Sequence, residues 1–471
     1  MTYPDLVIRS ERVLTAQGFI PAAVCVTNGV ITAILPIDAV IEGPPRADAA
    51  TPDQAPTAIT LREERLAPDA VLIPGLVDTH VHVNEPGRTE WEGFASATLA
   101  AAAGGVTTII DMPLNSIPPT VSVTALERKR QAAGAKASVH VGFWGGAIPA
   151  NLGKLHELSD AGVFGFKVFL SPSGVDEFPN LSLTELEAAA VEIAVFGGQL
   201  LVHAEDPQVL DGSVNGGGDG YRDFVASRPP EAETTAIEQV IEVVRRTGVR
   251  AHILHLSSGK SLPLLRAAKG AGLPITAETC PHYLYFSAEC IPDGATSYKC
   301  CPPIRDEANR ALLWAGLGDG TIDFIASDHS PATRELKLGH GGDFGLAWGG
   351  ISGLQLSLAA VWSAGRARGV GLEQVVEWMS TVPARFLGLA GRDGLAGKGA
   401  IAVGADADLV AFAPAEDFLV DAESLRHKNK VSAFDGALLV GRVRTTWLAG
   451  REVFSVHDDV AGRPTGALLA R

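Results

Sequence analysis

The feature that most constrains this chain is a set of short apolar runs, each sized for one strand and each finishing at or near an ionisable residue. They read VLIPGLVDTHVH from residue 71, TTIIDMP from 107, GFKVFL from 165, LLVHAED from 200, HILHLSS from 252 and FIASDHSP from 324. An apolar strand end costs nothing, whereas a buried charge is expensive unless it is paired or metal-bound. Such ends point to chemistry rather than packing. ASVHVGFWG and PITAETCPHY complete eight strand candidates, and helix-like segments such as ASATLAAAAGG and PEAETTAIEQVIEVVRR separate most of them. Near-continuous apolar strands alternating with helices indicate a parallel sheet. Eight such units predict an α/β chain with a (β/α)8 barrel over residues 73–396. Catalytic groups of such a barrel sit at the C-terminal strand ends, so these polar ends should converge on one pocket.

Both termini read differently. Residues 1–72 and 397–471 carry short strands with turns, including a hairpin signal at Asn28-Gly29. They are expected to meet in a small β-sandwich-like domain. The Pro- and Ala-rich stretch 43–58 reads as an exposed loop. A formal net charge of −16, with no basic run to offset it, argues against a nucleic-acid partner. MTYPDLVIRS has neither the basic region nor the apolar core of a secretory signal, and no apolar stretch is long enough to span a bilayer. Five cysteines without metal-finger spacing fit a reduced, cytoplasmic setting.

His80 and His82 lie two apart on a strand, so both side chains face the same way and can grip one divalent ion. An H-x-H pair alone is equally compatible with core packing. The continuation NEPGRTEWEGF makes it more specific. His203 and His255 end two further strands as third and fourth nitrogen ligands, and Asp328 offers a hard oxygen. Lys167 is the oddity, because an ammonium would repel metals. Phe166 and Val168 argue that it is embedded, and burial depresses a lysine pKa. The neutral amine can add carbon dioxide, and the resulting carbamate has one oxygen for each of two metals. A water bridging such a pair loses its proton near neutral pH and attacks a carbonyl. Asp328 is placed to take that proton and pass it to the leaving nitrogen. The reaction expected is hydrolysis of an amide or similar bond.

At these residues the chain resembles the amidohydrolase superfamily, in its cyclic-amide branch of dihydroorotases, hydantoinases and allantoinases. The resemblance spans PGLVDTHVHVNEPGRTEWEGF, GGVTTIIDMPLNS, GFKVFLSPSGVDEF, LVHAED, HLSS, AETCPHYL, KCCPPIRD, ASDHSP, AWGGISGLQ and GAIAVGADADLV. It implies that His80, His82 and Asp328 hold one zinc, that His203 and His255 hold the other, and that N6-carboxylated Lys167 bridges them. It also implies a distorted barrel beside a β-sandwich-like domain, commonly in homotetramers. Dihydroorotases usually carry an arginine after the H-x-H-x, where it clasps the substrate carboxylate. Here that position is Asn84, an amide suited to a neutral ring and a candidate substrate contact. The resemblance therefore implies the allantoinase group, which opens the ring of (S)-allantoin to allantoate. Dihydroorotase is second and hydantoinase or dihydropyrimidinase third. A non-catalytic scaffold has no physical reason to keep a lysine among histidines.

Other residues are expected to support rather than react. His282 and His329 read as packing or supporting groups, His140 and His252 as structural, and Asp111 as a hydrogen-bonding strand end. Pro302, Pro303 and Arg305 read as a rigid loop, and GSVNGGGDG at 212–220 as a mobile one.

Overall fold

The computed structural model describes residues 3–43, 61–391, 397–457 and 464–471; most of the predicted 43–58 loop lies outside these. Eight parallel strands run in chain order: Leu76–Val81, Val106–Asp111, His140–Phe143 with its extension Gly145–Gly146, Phe166–Phe169, Gln199–His203, Arg250–Ile253, Ile275–Thr279 and Phe324–Ile325. Each pairs with the next, and a parallel bridge between Val81 and His329 joins the segment after the eighth strand to the first. The amide of His82 donates to the His329 carbonyl at 2.8 Å across the same seam. This is the (β/α)8 barrel, distorted where the eighth strand is only two residues long.

Helix Pro230–Thr247 shows how the sequence builds the outer layer. Proline occupies its first turn with Glu231 and Glu233, Arg245 and Arg246 its last turn, and Gly248 closes it in the left-handed conformation at φ 70°. Ala236, Ile237, Val240, Ile241 and Val244 recur at helical spacing and are buried. Burying each larger member stabilises by roughly 1.5–3 kcal/mol. The charged exception on that inner face, Glu233, is paired with Arg305 at 2.7 Å.

The run at 71–82 is not one strand. It breaks at Gly75, and Val71–Pro74 leaves the barrel to pair antiparallel with Leu409–Phe412. A Cβ on Gly75 would lie 2.3 Å from Thr107 Oγ1, so only glycine allows this crossing. The second sheet draws on both ends of the chain, in the order Arg451–Ser455, Leu438–Leu448, Leu409–Leu419, Val71–Pro74, Leu6–Thr15, Gly18–Thr27, Val30–Pro36. Leu6, Ile8 and Val24 from one half and Leu409, Ala411 and Trp447 from the other share one core. The final residues return to the barrel, where Leu468 bridges Val141 and Gly466 donates to the Ala137 carbonyl. Among the described residues no helix is long and apolar enough to cross a membrane.

Candidate active site

The six predicted ligands meet at the C-terminal end of the barrel. His80 lies on the first strand and His82 just beyond it, Lys167 on the fourth strand, and His203 ends the fifth. His255 and Asp328 follow the sixth and eighth strands with left-handed backbone, at φ 34° and 44°. Such non-glycine conformations cost roughly 1–3 kcal/mol each and gather where function needs a side chain re-aimed. His80 Nε2 is 3.1 Å from Asp328 Oδ1 and 3.3 Å from Lys167 Nζ. His82 Nε2 is 3.5 Å from the same Asp328 oxygen, and His203 Nδ1 is 3.0 Å from His255 Nε2. Potential ligand atoms of His80, His255 and Asp328 all lie within 4.8 Å of one another. All six side chains are buried.

Two carboxylates fix how the rings face. Glu278 accepts from His80 Nδ1 at 2.5 Å, and Glu205 from His203 Nε2 at 2.8 Å. Burial alone would raise both carboxyls. The His80 and His252 contacts outweigh it for Glu278, as Arg228 and His203 do for Glu205, and both stay ionised. An ionised carboxylate only accepts, so His80 keeps its lone pair on Nε2 and His203 on Nδ1. His80 Nε2 then faces a carboxylate oxygen 3.1 Å away, a spacing that a divalent cation held by both would satisfy. Burial also pushes His82 down to about 3 and His255 well below its usual value, which leaves neutral imidazoles of the form metals bind. His255 Nδ1 has no hydrogen-bond partner. The donor set fits a divalent metal centre.

Burial lowers Lys167 to about 8, against the opposing pull of Asp328 and Glu278. At pH 7 about a tenth of such an amine is neutral. Burial by itself would raise Asp328. His80, a hydrogen bond to His82 and the field of His255 instead hold it well below the usual carboxylate range.

Above these groups lies a cavity of about 340 Å3, lined also by Asn115, Arg228, Lys299, Ser330 and the segment 345–350. Asn84 is not on its wall. Its backbone is left-handed at φ 66°, and its amide nitrogen donates to the Pro331 carbonyl at 3.2 Å. Strand alternation, which would aim it beside His82, ends at Val81. Asn115, not singled out in the sequence, reaches His82 Nδ1 at 3.4 Å. Glu278 and Glu205 were also missed, although both sit at strand ends of the kind that flagged the ligands. Arg228 carries no local signal, and segment 345–350 is marked only by the motif AWGGISGLQ that begins at Ala347.

The remaining residues singled out in the sequence make the following contacts. Asp111 pairs with buried Lys129 at 2.6 Å and accepts from the Val83 amide. His252 hydrogen-bonds Thr276 and Glu278, and His140 accepts from the Ala467 amide. His329 Nδ1 accepts from the Gly353 amide. His282, expected only to pack or support, instead lies with Cys280 and Asp328 in a second buried group whose potential ligand atoms are all within 4.8 Å of one another. Pro303 and Pro302 accept from Ser257 and Tyr283 hydroxyls, which holds their loop in place. In the 212–220 loop, Gly218 is tied to Asp343 and Phe344 beside the cavity wall.

Replacing Glu278 with glutamine should leave the fold intact but loosen the orientation of His80. Because such supporting groups typically contribute 10–100-fold to metal affinity, a weakening of about that size is expected in competitive chelation. Unchanged affinity would show that Glu278 does not orient His80.

A parallel barrel with four histidines, an aspartate and a buried lysine converging at its C-terminal mouth defines a metal-dependent hydrolase. The chain matches the amidohydrolase family over residues 71–453 and belongs to it; it is a hydrolytic enzyme. Its relatives include an allantoinase of Streptomyces avermitilis, 53% identical over the whole of both chains. An allantoinase of Arabidopsis thaliana is 43% identical over 95% of this chain and 87% of its own. Among solved structures, the L-hydantoinase (dihydropyrimidinase) of Arthrobacter aurescens superposes with a TM-score of 0.87 at 29% identity, covering 99% of this chain and all of that one.

Proposed function

We propose that this enzyme hydrolyses the ring amide of (S)-allantoin to allantoate, using two zinc ions bridged by carboxylated Lys167. The observation that carries the reading is the convergence of the six ligand side chains under a small polar cavity, in a chain similar along its entire length to allantoinases. His80, His82 and Asp328 would hold one ion, His203 and His255 the other, and the Lys167 carbamate both. The carbamate forms when the neutral Lys167 amine adds carbon dioxide and releases a proton. When bound, the metals acidify water and polarise the ring carbonyl.

The chain's own groups supply the rest. Asp328, ionised and 3.1 Å from His80 Nε2, accepts the proton of the attacking water and delivers it to the departing ring nitrogen. Glu278 and Glu205 hold their histidines in one tautomer throughout. Asn115, Ser330 and the backbone of 345–350 offer hydrogen bonds to a ring that is polar but neutral. Position 84 lies off the cavity wall and takes no part in substrate selection here.

The test is a panel of allantoin, dihydroorotate, hydantoin and dihydrouracil offered to the zinc-loaded enzyme. Allantoin should lead by kcat/KM. Dihydroorotate, hydantoin and dihydrouracil should all trail it. A preference for dihydroorotate or hydantoin would assign the enzyme to that group instead.

A further inference from the structure

Arg228 lines the cavity, and beyond its pairing with Glu205 it has no part in the proposed reaction. It caps the short helix Tyr221–Ser227, and its carbonyl accepts from Arg305 at 3.0 Å. Arg305 is itself locked by Glu233, whose carboxylate also receives the Ser257 and Ser258 amides just beyond His255. The backbone of Arg228 is therefore fixed relative to the ligand loops. Its guanidinium is fixed as well. Nε donates to Glu205 Oε1 at 3.0 Å and Nη2 to Glu205 Oε2 at 2.5 Å, a two-point fork.

That fork uses one edge of the guanidinium. Among the described residues no acceptor is bonded to Nη1, although the side chain retains 21% exposure and lines the cavity. The guanidinium thus lines the cavity with Nη1 outside the fork. Glu205 holds the plane from behind while its Oε2 also receives His203 Nε2. The cost of ordering the side chain is already met within the free protein, so a bound acceptor gains most of the bond.

We propose that Arg228 Nη1 is a substrate-specificity donor that captures the carbonyl oxygen of the acyclic urea arm carried by the ring. This deepens the allantoin reading and rests on it. Ring attack takes place at the metal ligands, whereas the arm projects from the neighbouring ring carbon and needs its own anchor. A urea carbonyl accepts from a guanidinium edge without a second charge, so burial of the arm strands no ion. A ring lacking the arm has nothing for Nη1 to hold.

Arg228→Lys keeps the charge beside Glu205 but loses the planar edge. It should raise KM for allantoin at least about tenfold more than it raises the inhibition constant of hydantoin, within the range of a hydrogen bond to a charged donor, because any disturbance passed through Glu205 to His203 affects both ligands alike. Hydantoin is the control because it has the ring and no arm. Parallel weakening of allantoin and hydantoin, or an unchanged allantoin KM, would overturn the assignment. If the lysine variant fails to fold or loses zinc, a crystal structure of the wild-type holoenzyme with allantoate decides. The urea carbonyl must lie within hydrogen-bond reach of Nη1, and a guanidinium making no ligand contact overturns the inference. Absence of allantoin turnover by the wild type, by contrast, refutes the underlying function and not the comparison between enzyme forms.

Discussion

Replacing Lys167 with alanine should abolish all but a trace of activity, a loss of about 10³-fold or more. The amine stands 3.3 Å from His80 Nε2, in a cluster where a divalent pair needs more negative charge than Asp328 alone provides. Removing it removes both carbamate oxygens, and with them the group that would hold two ions together. Metal polarisation supplies several kcal/mol to such reactions, and about 4 kcal/mol corresponds to roughly that factor. Elemental analysis should show wild-type protein approaching two zinc equivalents and the variant falling short. Short carboxylic acids should restore part of the rate, because acetate or propionate offers the two missing oxygens. A variant with full zinc and full rate would remove Lys167 from the metal centre.

Asp328→Asn should be nearly as damaging for a different reason. Asparagine preserves shape but cannot take a proton, so kcat should fall by about 10²- to 10⁴-fold. Contacts with the surrounding histidines hold the Asp328 carboxyl well below the usual carboxylate range. The variant should lose any dependence of kcat on that ionisation, and its residual rate should climb with added hydroxide. Retention of the wild-type pH profile would show that another group moves the proton. Asp328 is also a proposed metal ligand, so zinc content must be measured alongside. Only a variant that retains zinc separates the two roles.

The barrel is legible in the sequence because each strand is an apolar run buried on both faces and each spacer has helical periodicity. The ligands are legible because a buried ionisable strand end is anomalous without a partner. Asn84 marks where that logic stops. Placing it in the pocket extends the two-residue alternation of a strand past Val81, and a single left-handed residue redirects the side chain. The run at 71–82 fails for a related reason: apolarity does not distinguish one strand from two that abut at a glycine. Arg228 and Glu205 come from different elements, and their pairing exists only once the chain is folded. Glu278 could have been found, since a carboxylate at the end of an apolar strand meets the criterion that picked out Asp328.

The second sheet has a consequence for how the chain is made. Val71 pairs with Phe412 and Pro74 with Leu409, so the edge presented by Val71–Pro74 has no partner until residues 409–412 emerge, more than 300 residues later. Contacts of such long sequence separation form slowly, and an open strand edge invites pairing with other chains. During synthesis the amino-terminal hairpins must wait, largely unsheltered, while the whole barrel assembles beside them. A ribosome-bound chain stalled before residue 409 should expose that edge to protease and to chaperones, and one stalled beyond residue 448 should protect it. In this enzyme, completing the barrel is not the end of folding; the waiting edge is closed only as the tail arrives.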